Sequence, residues 1–146
     1  MKIEGVKKEE FRVIVDLWER SVRATHYFLK EADIDFFKPL ILNKYLDLVD
    51  LFCVKDSRGV INAFAGVYED SLEMLFVDPS AMRKGIGRQL LDHAIEKWGI
   101  RKVEVNEDNS NALEFYKAMG FHVVGRSPLD GSGKPYPLLH MELTVK

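Results

Sequence analysis

A short basic turn with two glycines, Val77-Asp78-Pro79-Ser80-Ala81-Met82-Arg83-Lys84-Gly85-Ile86-Gly87-Arg88, joins an apolar stretch of alternating period to one of helical period. This junction restricts the fold more than any other stretch. A strand that runs through a turn into a helix must send the chain back along the sheet, and the next strand then lies parallel to the first with a right-handed crossover. The turn also has chemical meaning. The free N–H groups and the positive dipole end of a helix start favour anionic oxygens, and glycine lets backbone amides approach them closely. Arg83, Lys84 and Arg88 add positive charge around it.

The remaining elements follow from periodicity. Residues 2 to 6 predict a short strand, and Phe11, Ile14, Val15, Trp18 and Val22 recur at helical spacing. Residues 31 to 49 also predict a helix, with a break or fresh start at Pro39, which has no N–H to donate. Residues 51–55, 60–68 and 71–77 predict three antiparallel strands joined by tight turns. Past the glycines, Ile86, Leu90, Ala94 and Trp98 fall every fourth residue until Gly99. A strand at 102–105, a helix at 109–119 closed by Gly120, and strands at 121–125 and 138–143 complete the order β-α-α-β-β-β-α-β-α-β-β.

Composition narrows the function classes. The 146 residues suit a single domain, 1–146, without linker, repeat or low-complexity tract. With 21 Lys+Arg against 23 Asp+Glu the net charge is −2, so no global field draws in nucleic acid or an anionic membrane. Cys53 is the only cysteine, which excludes an intrachain disulfide, and its neighbours Phe52 and Val54 place it in a core strand. Met1 to Val6 is too polar for a signal peptide and no apolar run reaches membrane-spanning length, so a cytoplasmic protein is the expectation. The four histidines have no metal-ligand spacing, and no metal is expected.

Two phosphate-binding alternatives fail on spacing. A P-loop needs Gly-x-x-x-x-Gly-Lys-Ser/Thr, which is absent. A dinucleotide fingerprint needs glycine at position 90, which is leucine, and its glycines would follow the strand more closely than here.

The turn resembles motif A of the GNAT superfamily of N-acetyltransferases, Gln/Arg-x-x-Gly-x-Gly/Ala, with Met82 at the Gln/Arg position. Asn109-Ser110-Asn111-Ala112-Leu113-Glu114-Phe115-Tyr116-Lys117-Ala118-Met119-Gly120-Phe121 resembles the family's Asn-x-x-Ala-x-x-Phe/Leu-Tyr-x-x-x-Gly-Phe helix. The two motifs stand in family order. Ser21-Val22-Arg23-Ala24-Thr25-His26 and the stretch from Gly125 to Leu139 are similar to the YjaB-type bacterial branch. The resemblance implies an α/β fold: a mixed, mostly antiparallel twisted sheet of about seven strands flanked by four helices, with a splayed parallel pair at the cofactor site.

It also implies acetyl transfer from acetyl-CoA to a primary amine by direct attack in a ternary complex. The diphosphate would sit on Arg83, Lys84, Gly85, Ile86, Gly87 and Arg88, and the pantetheine arm along backbone groups of Leu75, Phe76 and Val77, like an added strand. Asn109 would bond the arm; a plain helix N-cap is its other reading. Tyr116 would meet the sulfur as general acid. A phenol near ~10 facing a thiol near ~8.5 makes full proton transfer uphill by roughly 2 kcal/mol, so a strong hydrogen bond to the developing thiolate is the alternative.

The amine must arrive neutral, which calls for a base. Glu104 matches the base position of the branch that acetylates protein N-termini, and Glu73 that of the histone-acetylating branch; either could instead be a solvated carboxylate. His26, between the first two helices, and Tyr136, in the Gly/Pro-rich loop before the last strand, are candidate acceptor-pocket residues. The acceptor itself stays open among protein lysine, a protein N-terminus and small amines. A non-catalytic acyl-CoA-binding sensor is the competing class, and a homodimer is compatible with the sequence.

Overall fold

The structure is a computed structural model and describes residues 2–144. Strand β1 (Lys2–Gly5) leads through a 3-10 turn into α1 (Phe11–Thr25) and α2 (Glu31–Leu40). A widened π turn (Ile41–Tyr45) and the short α3 (Leu46–Leu48) continue α2. Then come β2 (Asp50–Lys55), β3 (Ile61–Tyr68), β4 (Ser71–Val77), α4 (Ile86–Trp98), β5 (Lys102–Asn106), α5 (Ser110–Ala118), β6 (Phe121–Ser127) and β7 (Leu138–Leu143). The seven strands form one sheet in the order β1-β2-β3-β4-β5-β7-β6. Among the described residues its single parallel pair is β4 with β5.

Pro39 corrects the expected break. It lies inside α2, and the helix runs on through it into the π turn that begins two residues later. Proline removes one backbone donor and crowds the preceding turn, and a locally widened helix absorbs that without ending.

Side-chain alternation divides the core between the two faces of the sheet. Along β2, Phe52 and Val54 face α4 and α5, where they join Ala63, Ala65, Leu90, Leu91 and Met141. Cys53 faces the other way, onto α1 and α2, where Ile14, Leu17, Trp18 and Phe64 are buried. There Cys53 is a packed thiol, pushed up to about 11 by burial. Trp98, expected within the helix stripe, keeps 41% of its surface exposed and stacks on Phe52 at the rim with ring centroids 5.9 Å apart.

The parallel pair matters most for function. β4 and β5 pair only as Ser71 with Lys102 and Leu72 with Val103. On the far side of β4 the register with β3 passes from Val67–Leu72 to Gly66–Met74, which leaves Glu73 as the unpaired residue of a β-bulge. A bulge bends its strand and increases its twist. Beyond it β4 stays with β3 while β5 stays with β7, pairing through Glu104–His140, Val105–Leu139 and Asn106–Leu138. The two strands therefore open into a V whose facing edges carry no strand partner among the described residues.

Candidate functional site

The glycine turn follows the end of β4 that has parted from β5, on the open side of the V. Gly85 caps α4 with φ +78° and Arg83 adopts φ +63°, so two residues of the turn occupy the left-handed region. For Arg83 this conformation carries strain of order 1 kcal/mol. No side chain caps α4 and no acidic residue stands in its first turn. The amides of Ile86, Gly87 and Arg88 have no acceptor within their own helix, beside the charges of Arg83, Lys84 and Arg88. Gly87 lies between the end of β4 and α5, since a Cβ there would stand 3.7 Å from Val77 Cγ2 and 3.8 Å from Phe115 Cζ. The turn is braced from below. Asp78 accepts from the Ser80 amide at 3.0 Å and from Arg20 of α1 at 2.6 Å. Burial pushes the Asp78 carboxyl upward, but Arg20 and Ser80 outweigh it and hold it below the usual range.

Both candidate bases come to the crotch of the V. Glu73 is the bulge residue and Glu104 follows Val103, the last residue of β5 paired to β4. Although Glu73 reaches the surface, desolvation and then the charge of Glu104 hold its carboxyl above the usual range. Glu73 also lines a groove of about 410 Å³ with Tyr45, Leu48, Val49, Tyr68 and Met74. Glu104 leans toward β7, its Oε2 3.7 Å from His140 Nδ1, while Ser127 Oγ lies 2.6 Å from His140 Nε2. The His140 ring rests over Gly125, where a Cβ would meet Cδ2 at 3.6 Å.

Tyr116 sits on the α5 face that packs on the sheet, 7% exposed and edge-on to Phe115 and Phe121 at 5.1 and 5.7 Å. Burial alone raises its phenol well above the ordinary value. The group is a neutral hydrogen-bond donor across the physiological range.

Asn109 is a helix N-cap, its Oδ1 accepting from the Ala112 amide at 3.2 Å. Its Nδ2 lies 3.3 Å from His26 Nε2, which joins a candidate cofactor residue to a candidate pocket residue 83 positions away. Desolvation lowers the His26 imidazole to about 4. Around His26 the structure assembles an aromatic wall: its ring is 5.3 Å from Phe28 and 6.3 Å from Phe76, and Phe28 is 5.9 Å from Tyr136.

Sequence reasoning missed what holds Tyr136. Its hydroxyl donates to Asp33 Oδ2, and Lys134 Nζ lies 3.1 Å from Asp33 Oδ1. The loop is shaped for this by Asp130, whose Oδ1 accepts from the amides of Ser132 and Lys134, each at 2.9 Å. A carboxylate beside the apolar Ile34 was the only signal for Asp33; nothing local told where its partners lay.

A gap between two strands that part after two residue pairs, with uncapped helix amides beyond the end of β4 and two carboxylates where the pairing stops, has the shape to take a long amide-bearing ligand that ends in phosphates. Such a gap suits a CoA-dependent acyltransferase. Residues 49–123 match the Acetyltransferase (GNAT) domain. The chain belongs to that family and is an acetyl-CoA-dependent N-acetyltransferase. It is 36% identical over 141 residues to the peptidyl-lysine N-acetyltransferase YjaB of Salmonella typhimurium, covering 97% of each chain. It is 31% identical over 123 residues to the peptidyl-lysine N-acetyltransferase YiaC of Escherichia coli, covering 84% of each. The solution structure of apo YjaB from Escherichia coli superposes with a TM-score of 0.88 at 34% identity, covering 99% of this chain and 98% of that one. The PaiA N-acetyltransferase of Thermoplasma acidophilum, solved with coenzyme A, shares the fold at a TM-score of 0.75 and 21% identity, covering 99% of this chain and all of that one. Among the described residues no helix is long and apolar enough to cross a membrane.

Proposed function

We propose that this enzyme acetylates the ε-amine of protein lysines, with Glu73 as general base and Tyr116 as donor to the leaving sulfur. The observation that supports it most is the coincidence of three features at one point: the end of β4–β5 pairing, the bulge at Glu73, and a groove that leads to Glu73. The lining of Tyr45, Leu48, Val49, Tyr68 and Met74 suits the four-methylene stem of lysine, which buries its carbons while its charge reaches a carboxylate. The names of the YjaB and YiaC relatives agree with a peptidyl-lysine acceptor.

Acetyl-CoA supplies an activated thioester carbonyl and a thiolate leaving group. The amides of Gly85 to Arg88, with Arg83, Lys84 and Arg88, hold the diphosphate; backbone groups of Leu75, Phe76 and Val77 and the Asn109 amide orient the arm. A lysine near ~10.4 must lose a proton before it attacks. Glu73 takes that proton, and its upward shift makes it a stronger base than an ordinary carboxylate. Burial and then the neighbouring Glu104 produce that shift. Tyr116 has too high a pKa to surrender its proton fully, so it stabilises the developing thiolate by hydrogen bonding from a desolvated position.

Steady-state thiol release with lysine peptides, α-amine peptides and small amines tests the reading. The expected order has lysine peptides first, with Glu73→Gln lowering kcat by about 10²-fold and Glu104→Gln moving the acidic limb of the pH–rate profile downward. Coenzyme A binding without turnover of any amine overturns it in favour of a sensor.

A further inference from the structure

His26 has no chemistry assigned to it in the transfer, yet its hydrogen bonds are fully determined. Thr25 Oγ1 donates its only hydrogen to the Ser21 carbonyl at 2.8 Å. It can therefore only accept from His26 Nδ1, also 2.8 Å away, so that nitrogen carries the proton. The other end gives the same answer independently. Because Asn109 Oδ1 is committed to the Ala112 amide, the atom facing His26 is Nδ2, a donor, and His26 Nε2 must be a bare acceptor. A single neutral tautomer satisfies every group. The chain of bonds runs from the last turn of α1, through the imidazole, to the N-cap of α5.

Its position gives it a consequence. The imidazole stands beside Phe76 on β4, while Asn109 begins the helix that follows β5, so the bond links a ring packed near one limb of the V to the helix that leaves the other. The imidazole is packed against Phe28 and Phe76, which fixes where Nε2 points. Two of the Asn109 amide's bonding directions are thus held by the protein, and one Nδ2 hydrogen is left for a ligand. We infer that His26 is a positioning residue: through its Nε2 it spans the mouth of the V and pre-orients the Asn109 side-chain amide toward the arm of the acetyl donor. The inference rests on the proposed donor site. A preset amide saves the ordering cost that a ligand would otherwise meet on binding.

Measured on the whole enzyme, His26→Ala is expected to raise KM for acetyl-CoA about 5- to 10-fold with kcat within about twofold. Asn109→Ala should do the same, and the double variant should be no worse than the more impaired single one, because the two residues act as a unit. His26→Gln, which restores an acceptor oxygen, should recover most of the loss and guards against a folding defect in the alanine variant. Nitrogen-15 spectra should show His26 as the Nδ1–H tautomer, with the Asn109 side-chain amide signals moving in His26→Ala. Losses that multiply in the double variant, a fall in kcat at unchanged KM, or Asn109 amide signals indifferent to His26 would overturn the assignment. Failure of the wild type to bind coenzyme A in calorimetry would refute the donor site instead, and the spectra would still read the His26–Asn109 bond.

Discussion

Tyr136 and Asp33, 103 residues apart, share a hydrogen bond that fastens the loop before β7 to α2. The Tyr136 hydroxyl, followed by Lys134, holds the Asp33 carboxyl below its usual range, and the same bond raises the phenol. This bond sets one wall of the aromatic cluster that includes Phe28 and His26.

Removing that hydroxyl is the first test. Tyr136→Phe should lower the unfolding free energy by about 1.5–3 kcal/mol, the range for a hydrogen bond to a charged group, in urea titrations at neutral pH. Asp33 contributes stability above its unfolded pKa and loses it as pH falls through its depressed folded value. The variant should therefore show a smaller loss of stability below pH ~4 than the wild type.

His26 predicts a second acid-sensitive window. Its folded pKa of about 4 lies below the ordinary histidine value of 6.5, so the native state binds fewer protons than the unfolded chain between them. Stability is complete above pH ~6.5 and falls as pH drops toward about 4, by up to about 3 kcal/mol. His26→Gln should flatten that part of the stability curve; an unchanged slope between pH 6.5 and 4 would count against the neutral buried imidazole.

Arg83 separates fold from function. Its φ of +63° is one that glycine adopts freely. Arg83→Gly should therefore raise stability slightly, by about 0.5–1 kcal/mol, while weakening coenzyme A binding most at low salt, where the lost charge is least screened. Gly85→Ala, at φ +78° with open space around it, should cost about 1 kcal/mol of stability. Thermal melts paired with calorimetry at two ionic strengths read both effects.

For Tyr116 the expected split is between rate and affinity. Tyr116→Phe keeps the ring contacts with Phe115 and Phe121 and removes only the hydroxyl. The expected result is a fall in kcat of about 10²-fold, the scale for one lost donor to developing charge, with the coenzyme A dissociation constant within about twofold. A variant as fast as the wild type would end the role of Tyr116 in thiolate stabilisation.

The order of strands and helices was written locally. The short apolar run in 61–68 and the fourfold spacing from Ile86 to Ala94 are each readable within a window of a few turns, and Gly85 marks the helix start because its backbone conformation excludes most side chains. The residue types at the candidate site, from Glu73 to Tyr116, were legible for the same reason. Pro39 was misjudged because its local cost as a helix breaker was absorbed by a π turn in a helix packed against the sheet.

Distance along the chain decided the rest. The bulge that leaves Glu73 unpaired is a matter of register between β3 and β4, and its meeting with Glu104 needs β5 to arrive after a whole helix. The bonds of His26 to Asn109 and of Tyr136 to Asp33 join residues that no local pattern relates. Periodicity and backbone preference are properties of neighbouring residues, so the amino-acid order carries them directly. Desolvation, charge coupling and hydrogen-bond direction arise only when packing brings remote side chains together, and they turn a list of suitable residues into a site.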